Sequence, residues 1–214
     1  KTVRAAFESY RYNDAAQAVY EFFWNNFCDW YVEGTKLSYK NGDKAEKDRI
    51  TSVLLAVLEE ALRLLHPVLP FVTEEIYDKL PQCCAEGAAA RSDVLMTADY
   101  PVYRAERIDE AASSRFNALQ EIVRLIRALR AECGIDPQLK LRIVLYTEQD
   151  VPASAAAEKA DLIKMLAGLA DIRFINDLRD KPAHAVGTVG SGFEAFLVTG
   201  EEVDCSLLIA RFSK

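Results

Sequence analysis

Basic excess, C-x-x-C cysteine pairs and long apolar runs are missing from this chain and histidine is scarce, and each of these removes a class of function. Two histidines occur in 214 residues, His66 before a proline and His184 near the C-terminal third's hairpin signals. Neither has a Cys–Asp or Ser–Asp grouping beside it, so both are read as structural. The five cysteines, Cys28, Cys83, Cys84, Cys133 and Cys205, form no C-x-x-C pair. That argues against a zinc site, and their odd number suits a reducing compartment. A cytoplasmic location is expected. No apolar run reaches the roughly 20 residues that span a bilayer, and the opening KTVRAAFESYRYNDAA has no apolar signal-peptide core. The first residue is lysine rather than methionine, so a piece of a longer polypeptide is expected.

The formal net charge is −7. A surface that held a polyanion by counterion release alone would carry a broad basic excess. Any nucleic-acid contact must then be local, guided by shape, or shared with other parts of the molecule. The sequence also contains no G-x-x-x-x-G-K-[ST] loop, G-x-G-x-x-G turn, G-x-S-x-G elbow or H-E-x-x-H helix. Gly187, Gly190 and Gly192 fit hairpin turns better than a phosphate loop. The paired acids Glu59-Glu60, Glu74-Glu75 and Glu201-Glu202 cannot point the same way on a helix and read as solvated faces. Glu74 and Glu75 are expected in a first helical turn, where the dipole favours negative charge. No catalytic residue and no metal ligand is assigned. The chain reads as a binding or scaffolding module.

What is present is aromatic. The stretch Glu21–Glu33, EFFWNNFCDWYVE, carries six aromatic rings without proline or glycine. Val19, Phe23, Phe27 and Trp30 step by three and four and form one buried stripe on a helix. Phe22, Trp24 and Tyr31 fall wholly or partly outside it. Such rings could meet a second helical layer or stack on nucleic-acid bases.

The chain as a whole is half hydrophobic and 28% charged, which is ordinary for a soluble globular protein. Residues 1–13 predict the end of a helix and a turn at Tyr12-Asn13. Asp14 with Gln17 predicts a capping box that opens a helix to about Tyr39, closed at Asn41-Gly42. A helix from near Asp43 carries Ile50, Val53, Leu54, Val57, Leu58, Ala61, Leu62 and Leu65, and ends at His66-Pro67. FVTEEIYDKL, opened by Pro70 or Thr73 and closed by Pro81, is a short helix. Residues 82–104 are expected to be irregular. Asp109 to Glu132 predicts another helix, with Leu119, Ile122, Leu125, Ile126 and Leu129 inward and Arg124, Arg127 and Arg130 as a stripe beside them. That stripe is either a solvated face or a set of phosphate contacts. Gly134 and Pro137 mark its end.

Beyond this point the period changes. Lys140–Thr147 predicts a strand, Ser154–Leu169 a helix and Ile172–Ile175 a second strand. Ala185–Gly190 and Gly192–Val198 predict a hairpin, and Val203–Lys214 a strand running into a helix. The expected architecture is mainly α: a helical unit over residues 1–136, then a small α/β unit over 137–214.

Four blocks resemble one family. They are YRYNDAAQAVYEFFWNNFCDWYVE at Tyr10–Glu33, LRLLHPVLPFVTEEIYDKLP at Leu62–Pro81, VRLIRALRAECGIDP at Val123–Pro137, and the strand–helix–strand segment that follows. Together they resemble the C-terminal region of valyl-tRNA synthetases, class I aminoacyl-tRNA synthetases. Phe27–Glu33 favours the valine branch over its isoleucine and leucine relatives. Cys133-Gly134 departs from the family's more usual methionine–asparagine type of pair, a change expected to affect a helix end.

The resemblance implies a helix-bundle anticodon-binding domain, then a small α/β domain leading toward a coiled-coil arm. It implies a monomer whose partners are valine-accepting tRNA and the parent's own catalytic domain. ATP and magnesium belong to the parent; no cofactor is expected in this segment, whose sequence lacks the family's His-Ile-Gly-His and Lys-Met-Ser-Lys-Ser motifs. Unpaired anticodon bases can be read by polar side chains and stacked on rings. The candidates are Arg11, Tyr12, Asn13, Trp24, Asn25, Tyr31 and Lys36, with Arg124, Arg127 and Arg130 as second-rank backbone contacts. The competing reading is a protein-interaction module without direct RNA contact.

Overall fold

The computed structural model describes residues 1–81, 92–136 and 138–198, without the side chain of Val151. Pro137 and the expectations for Cys83-Cys84, residues 82–91, Glu201-Glu202, Cys205 and the 203–214 segment lie outside the described residues. Packing divides the chain into two compact units, Lys1–Glu106 and Arg107–Lys214.

The first unit is helical. Helix α1 (Thr2–Glu8) turns through Ser9-Tyr10 into α2 (Tyr12–Tyr20). The turn therefore precedes the expected Tyr12-Asn13, which occupy the first turn of α2. No capping box forms either: Asp14 pairs with Arg11, and Gln17 donates to Glu21. Helix α2 runs without a break into a π-helical segment (Glu21–Val32) and then α3 (Glu33–Asn41). Both junction residues, Glu21 and Glu33, stay in the right-handed helical region. The aromatic stretch is the π segment. Its wider turn, marked by the Glu33 N–H bonding Cys28 O five residues back, lets rings at steps of four lie over one another. Phe23–Phe27 centroids are 5.6 Å apart and Phe27–Tyr31 6.0 Å, the latter nearly parallel. Val19, Phe27 and Trp30 are buried and Phe23 is half-buried, so the expected stripe is the inward one.

Helix α4 (Lys44–Leu65) starts where expected, with Asp43 accepting the Glu46 N–H at 2.8 Å. It stops at His66-Pro67, and α5 (Pro70–Lys79) opens on the proline. Three side chains lock this corner. The Thr73 hydroxyl donates to Leu69 O at 2.8 Å, so the contact to His66 Nδ1, also 2.8 Å, has the ring nitrogen as donor. Neither Glu74 nor Glu75 is in the first turn of α5, because the helix opens at Pro70. Glu75 pairs with Lys79 at the surface. Glu74 has another role. Its carboxylate accepts the Leu95 and Met96 N–H groups at 2.7 and 3.3 Å, holding the 3₁₀ turn Leu95–Thr97. Tyr77 is buried with Leu62 and Leu95 and donates to Ser92 O.

The second unit begins with α6 (Glu110–Glu132), capped by Asp109 accepting the Ala112 N–H. The sequence places the unit boundary after this helix, whereas packing places it before. The reason is the buried face of α6, which lies against the sheet and its crossover helices. The sheet is mixed, in the order β2-β1-β4-β3. Strand β1 (Leu141–Thr147) pairs in parallel with β2 (Leu169–Ile175) and antiparallel with β4 (Phe193–Val198), which pairs with β3 (Ala185–Gly190). The crossover from β1 to β2 is two helices, α7 (Asp150–Glu158) and α8 (Ala160–Ala167), rather than one. Lys159 leaves the helical region at φ −122, and β2 starts at Leu169, directly after the left-handed Gly168. The β3–β4 turn is tied to α6 by Glu121, which accepts from the Ser191 N–H and hydroxyl at 2.9 Å each.

Thr73→Val keeps the side-chain shape and removes both partners of the α4–α5 corner. Urea unfolding followed by helicity should show a loss of about 1–3 kcal/mol; an unchanged midpoint would assign the corner to apolar packing alone.

Candidate nucleic-acid interface

The helical rod Tyr12–Asn41 carries the first-rank candidates. Arg11 is the N-cap residue of α2, while Tyr12 and Asn13 lie in its first turn; all three are exposed. Arg11 pairs with Asp14 at 3.1 Å, and on α1 Arg4 pairs with Glu8 at 3.3 Å. Both pairs are solvent-exposed and contribute little to stability, so either guanidinium can turn to a phosphate at small cost. Trp24 is 53% exposed on the π segment, beside exposed Asn25. Tyr31 is different. It is half-buried in the row behind Phe27, and burial raises its hydroxyl above the ordinary tyrosine value, with Arg49 acting the other way. Lys36 is exposed and pairs with Glu33 at 2.5 Å.

From Arg11 to Lys36 the rod rises on the order of 30 Å at helical rise. The candidates therefore fall into a tip group, Arg11–Asn13, and a mid-rod group, Trp24 and Asn25, with Lys36 further on. One short run of nucleotides does not reach all of them. The tip carries more rings than the sequence reading singled out. Phe7 meets Tyr12 at 6.2 Å and Tyr100 at 6.3 Å, and Tyr10 meets Tyr12 edge-on at 6.3 Å. The alternation Tyr10-Arg11-Tyr12-Asn13 is the sequence signal for this cluster. Its exposure is not readable without the turn.

The arginine stripe of α6 has a structural occupation. Arg127 donates from Nε and Nη2 to Leu166 O at 2.9 and 2.7 Å. Arg130 is 7% exposed; Nη1 donates to Ala167 O and Gly168 O, and Nη2 to Asp136 O and Leu139 O. The two guanidiniums thus cover the C-terminal carbonyls of α8, where a cation also suits the helix dipole. A Cβ at Gly168 would come within 2.5 Å of Arg130 Nη1, so glycine is required there by the clamp as well as by φ +68. The surrounding 460 Å³ cavity is lined by Arg127, Arg130, Ile135, Lys140 and Met165 among others, and the clamp forms one side of it. Arg124 and Arg127 are both exposed and Arg130 is buried, but Arg127 is committed to the Leu166 carbonyl, which leaves Arg124 as the better placed of the three for the phosphate reading. Among the described residues no three His, Cys, Asp or Glu side chains gather to hold a metal ion, and no helix is long and apolar enough to cross a membrane.

The family model of the anticodon-binding domain of tRNA ligases matches residues 1–145, from α1 through α6 into β1. The chain belongs to this family. Over 214 residues it is 67% identical to the valine–tRNA ligase of Treponema denticola, covering 100% of this chain and 24% of that protein. It is 49% identical over 233 residues to the valine–tRNA ligase of Treponema pallidum, covering 99% of this chain and 24% of that protein. The corresponding figures for the Chromobacterium violaceum valine–tRNA ligase are 35% over 212 residues, 99% and 21%. The chain thus spans about a quarter of the length of these relatives. The family match ends inside β1, so the anticodon-binding segment and the packing units overlap at α6 rather than coincide.

Arg130→Met should lower unfolding stability by about 3 kcal/mol or more, because several buried carbonyls lose a charged donor. Arg124→Ala, at an exposed position, should cost clearly less than Arg130→Met. Urea melts of both variants check this; a neutral Arg130→Met would remove the clamp from the account.

Proposed function

We propose that this chain is the tRNA-reading segment of a valine–tRNA ligase, with residues 1–136 as its anticodon-binding domain and 137–198 as the core of the α/β domain that follows. The observation that carries the proposal is the family match over residues 1–145, joined to an exposed aromatic and basic tip on α1–α2. The net charge of −7 fits a mode in which few phosphates are neutralised and unpaired bases supply the contact. Arg11, Tyr12 and Asn13 at the tip, and Trp24 and Asn25 on the π segment, are the contacts. Tyr31 positions the ring row, Lys36 lies at the far end, and Arg124 serves a phosphate. Arg127 and Arg130 support the fold that presents α6.

The parent joins valine to its tRNA with ATP and magnesium, and the residues described here do not fit those groups. The sequence has no glycine-rich phosphate loop, and among the described residues no three acidic, histidine or cysteine side chains gather to hold a metal ion. Docking to the parent's catalytic domain suits a second surface. Phe71, 90% exposed, borders a 560 Å³ groove with Val94 and Met96, rimmed by Glu75, Asp78 and Asp93.

A titration with valine tRNA and an anticodon-substituted copy tests the reading. Binding should weaken with salt and should weaken further, by about tenfold or more, for the substituted RNA. Equal affinity for both RNAs contradicts it.

A further inference from the structure

Two helices of this chain end in the same backbone device, built from different residues. At the end of α6, Gly134 takes φ +65, its N–H bonds Ala131 O at 3.0 Å, and the Ile135 N–H bonds Arg130 O at 3.1 Å. This is the Schellman closure, and glycine is its usual left-handed residue. At the end of α1 the same pair of bonds runs from Tyr10 N–H to Phe7 O, 3.0 Å, and from Arg11 N–H to Ala6 O, 2.8 Å. The left-handed residue there is Tyr10, at φ +58, the one non-glycine residue with positive φ among those described. A side chain is disfavoured in this conformation relative to glycine, because its Cβ crowds the backbone carbonyl.

Burial in the core does not offset that cost. Tyr10 is 79% exposed and buries no face in the core. Its ring stands 86° to that of Tyr12, itself 58% exposed, at 6.3 Å between centroids. Two rings at right angles make an L-shaped notch open to solvent. A flat heteroaromatic group can stack on one ring and meet the edge of the other. Phe7 packs behind Tyr12, and Tyr100 behind Phe7, so the notch has a supported wall. Arg11, the residue between the two tyrosines, sits in an exposed ion pair with Asp14 that a phosphate can replace. Strain held without a packing return is the mark of a residue placed for contact.

We propose that Tyr10 is a base-stacking residue, held in a strained helix cap so that it and Tyr12 receive one unpaired nucleobase of RNA. The proposal rests on the tRNA-reading function above and adds to it a residue and a mode of contact. Tyr10→Gly is the deciding variant, because stability and binding should move in opposite directions. Its thermal midpoint should be equal to or above that of the unsubstituted chain. Its affinity should fall about fivefold or more. Tyr10→Phe keeps the ring and should bind within about twofold of the parent sequence.

Two fluorescein-labelled probes are titrated against the full chain by anisotropy: the anticodon stem–loop of valine tRNA, and an unstructured adenine-rich single strand of the same length. Loss on both probes in Tyr10→Gly, retained in Tyr10→Phe, supports the stacking site. Tyr10-dependent binding of the single strand without binding of the stem–loop keeps the stacking site and removes the anticodon reading. The stacking site is overturned if Tyr10→Gly matches the unsubstituted chain on both probes, if neither probe binds, or if Tyr10→Phe falls as far as Tyr10→Gly.

Discussion

A helix leaves amides unpaired at its start and carbonyls unpaired at its end, and this mostly helical chain depends on how those groups are met. Asp43 and Asp109 meet amides of α4 and α6 with side-chain oxygens. Gly134 turns the backbone so that the end of α6 closes on itself. Arg127 and Arg130 meet the end of α8 from a different helix, and Arg130 also holds the carbonyls of Asp136 and Leu139. One side chain thus fixes α6, the loop after it and the helix leading into β2. The glycine at 168 follows from that clamp, since any larger residue would occupy the guanidinium's place.

The long rod has the opposite character. Between α2, the π segment and α3 no end is made at all, and the aromatic stretch is accommodated by widening the helix rather than by ending it. Phe27 and Trp30 go inward, Phe23 and Tyr31 flank Phe27 in a ring row, and Trp24 and Asn25 remain outside. The inward rings stiffen the element that carries the outward ones. Helices α1 and α2 then place the tip group at one end of this rod. Rigidity of the support matters for reading unpaired bases, since loss of freedom in a binding surface subtracts from affinity.

Elements with strong local signals were legible in the sequence. The helix starts near Asp43 and Asp109, Pro67 and Pro70 as punctuation, and the hairpin around Ser191-Gly192 are each fixed by chemistry within a few residues. Features set by tertiary contact were not. The Asp14–Gln17 pattern has the composition of a capping box, yet Arg11 takes Asp14 and Glu21 takes Gln17. The arginines of α6 look alike in sequence, and only the position of α8 separates Arg127 and buried Arg130, which bond its last carbonyls, from Arg124. The break at Lys159 has no proline or glycine to announce it. Of the candidate site, Tyr12 and Trp24 could be named from pattern. Tyr10 could not, because its interest lies in a dihedral angle that pattern reading assigns to glycine.

Hydrogen–deuterium exchange of this chain, free and with the valine anticodon stem–loop, tests the central claim most directly. The account predicts that RNA slows exchange around residues 10–25, at the tip and along the exposed side of the π segment, while the sheet of β1–β4 is unaffected. Slowing confined to residues 141–198, with residues 1–41 unchanged, would contradict it.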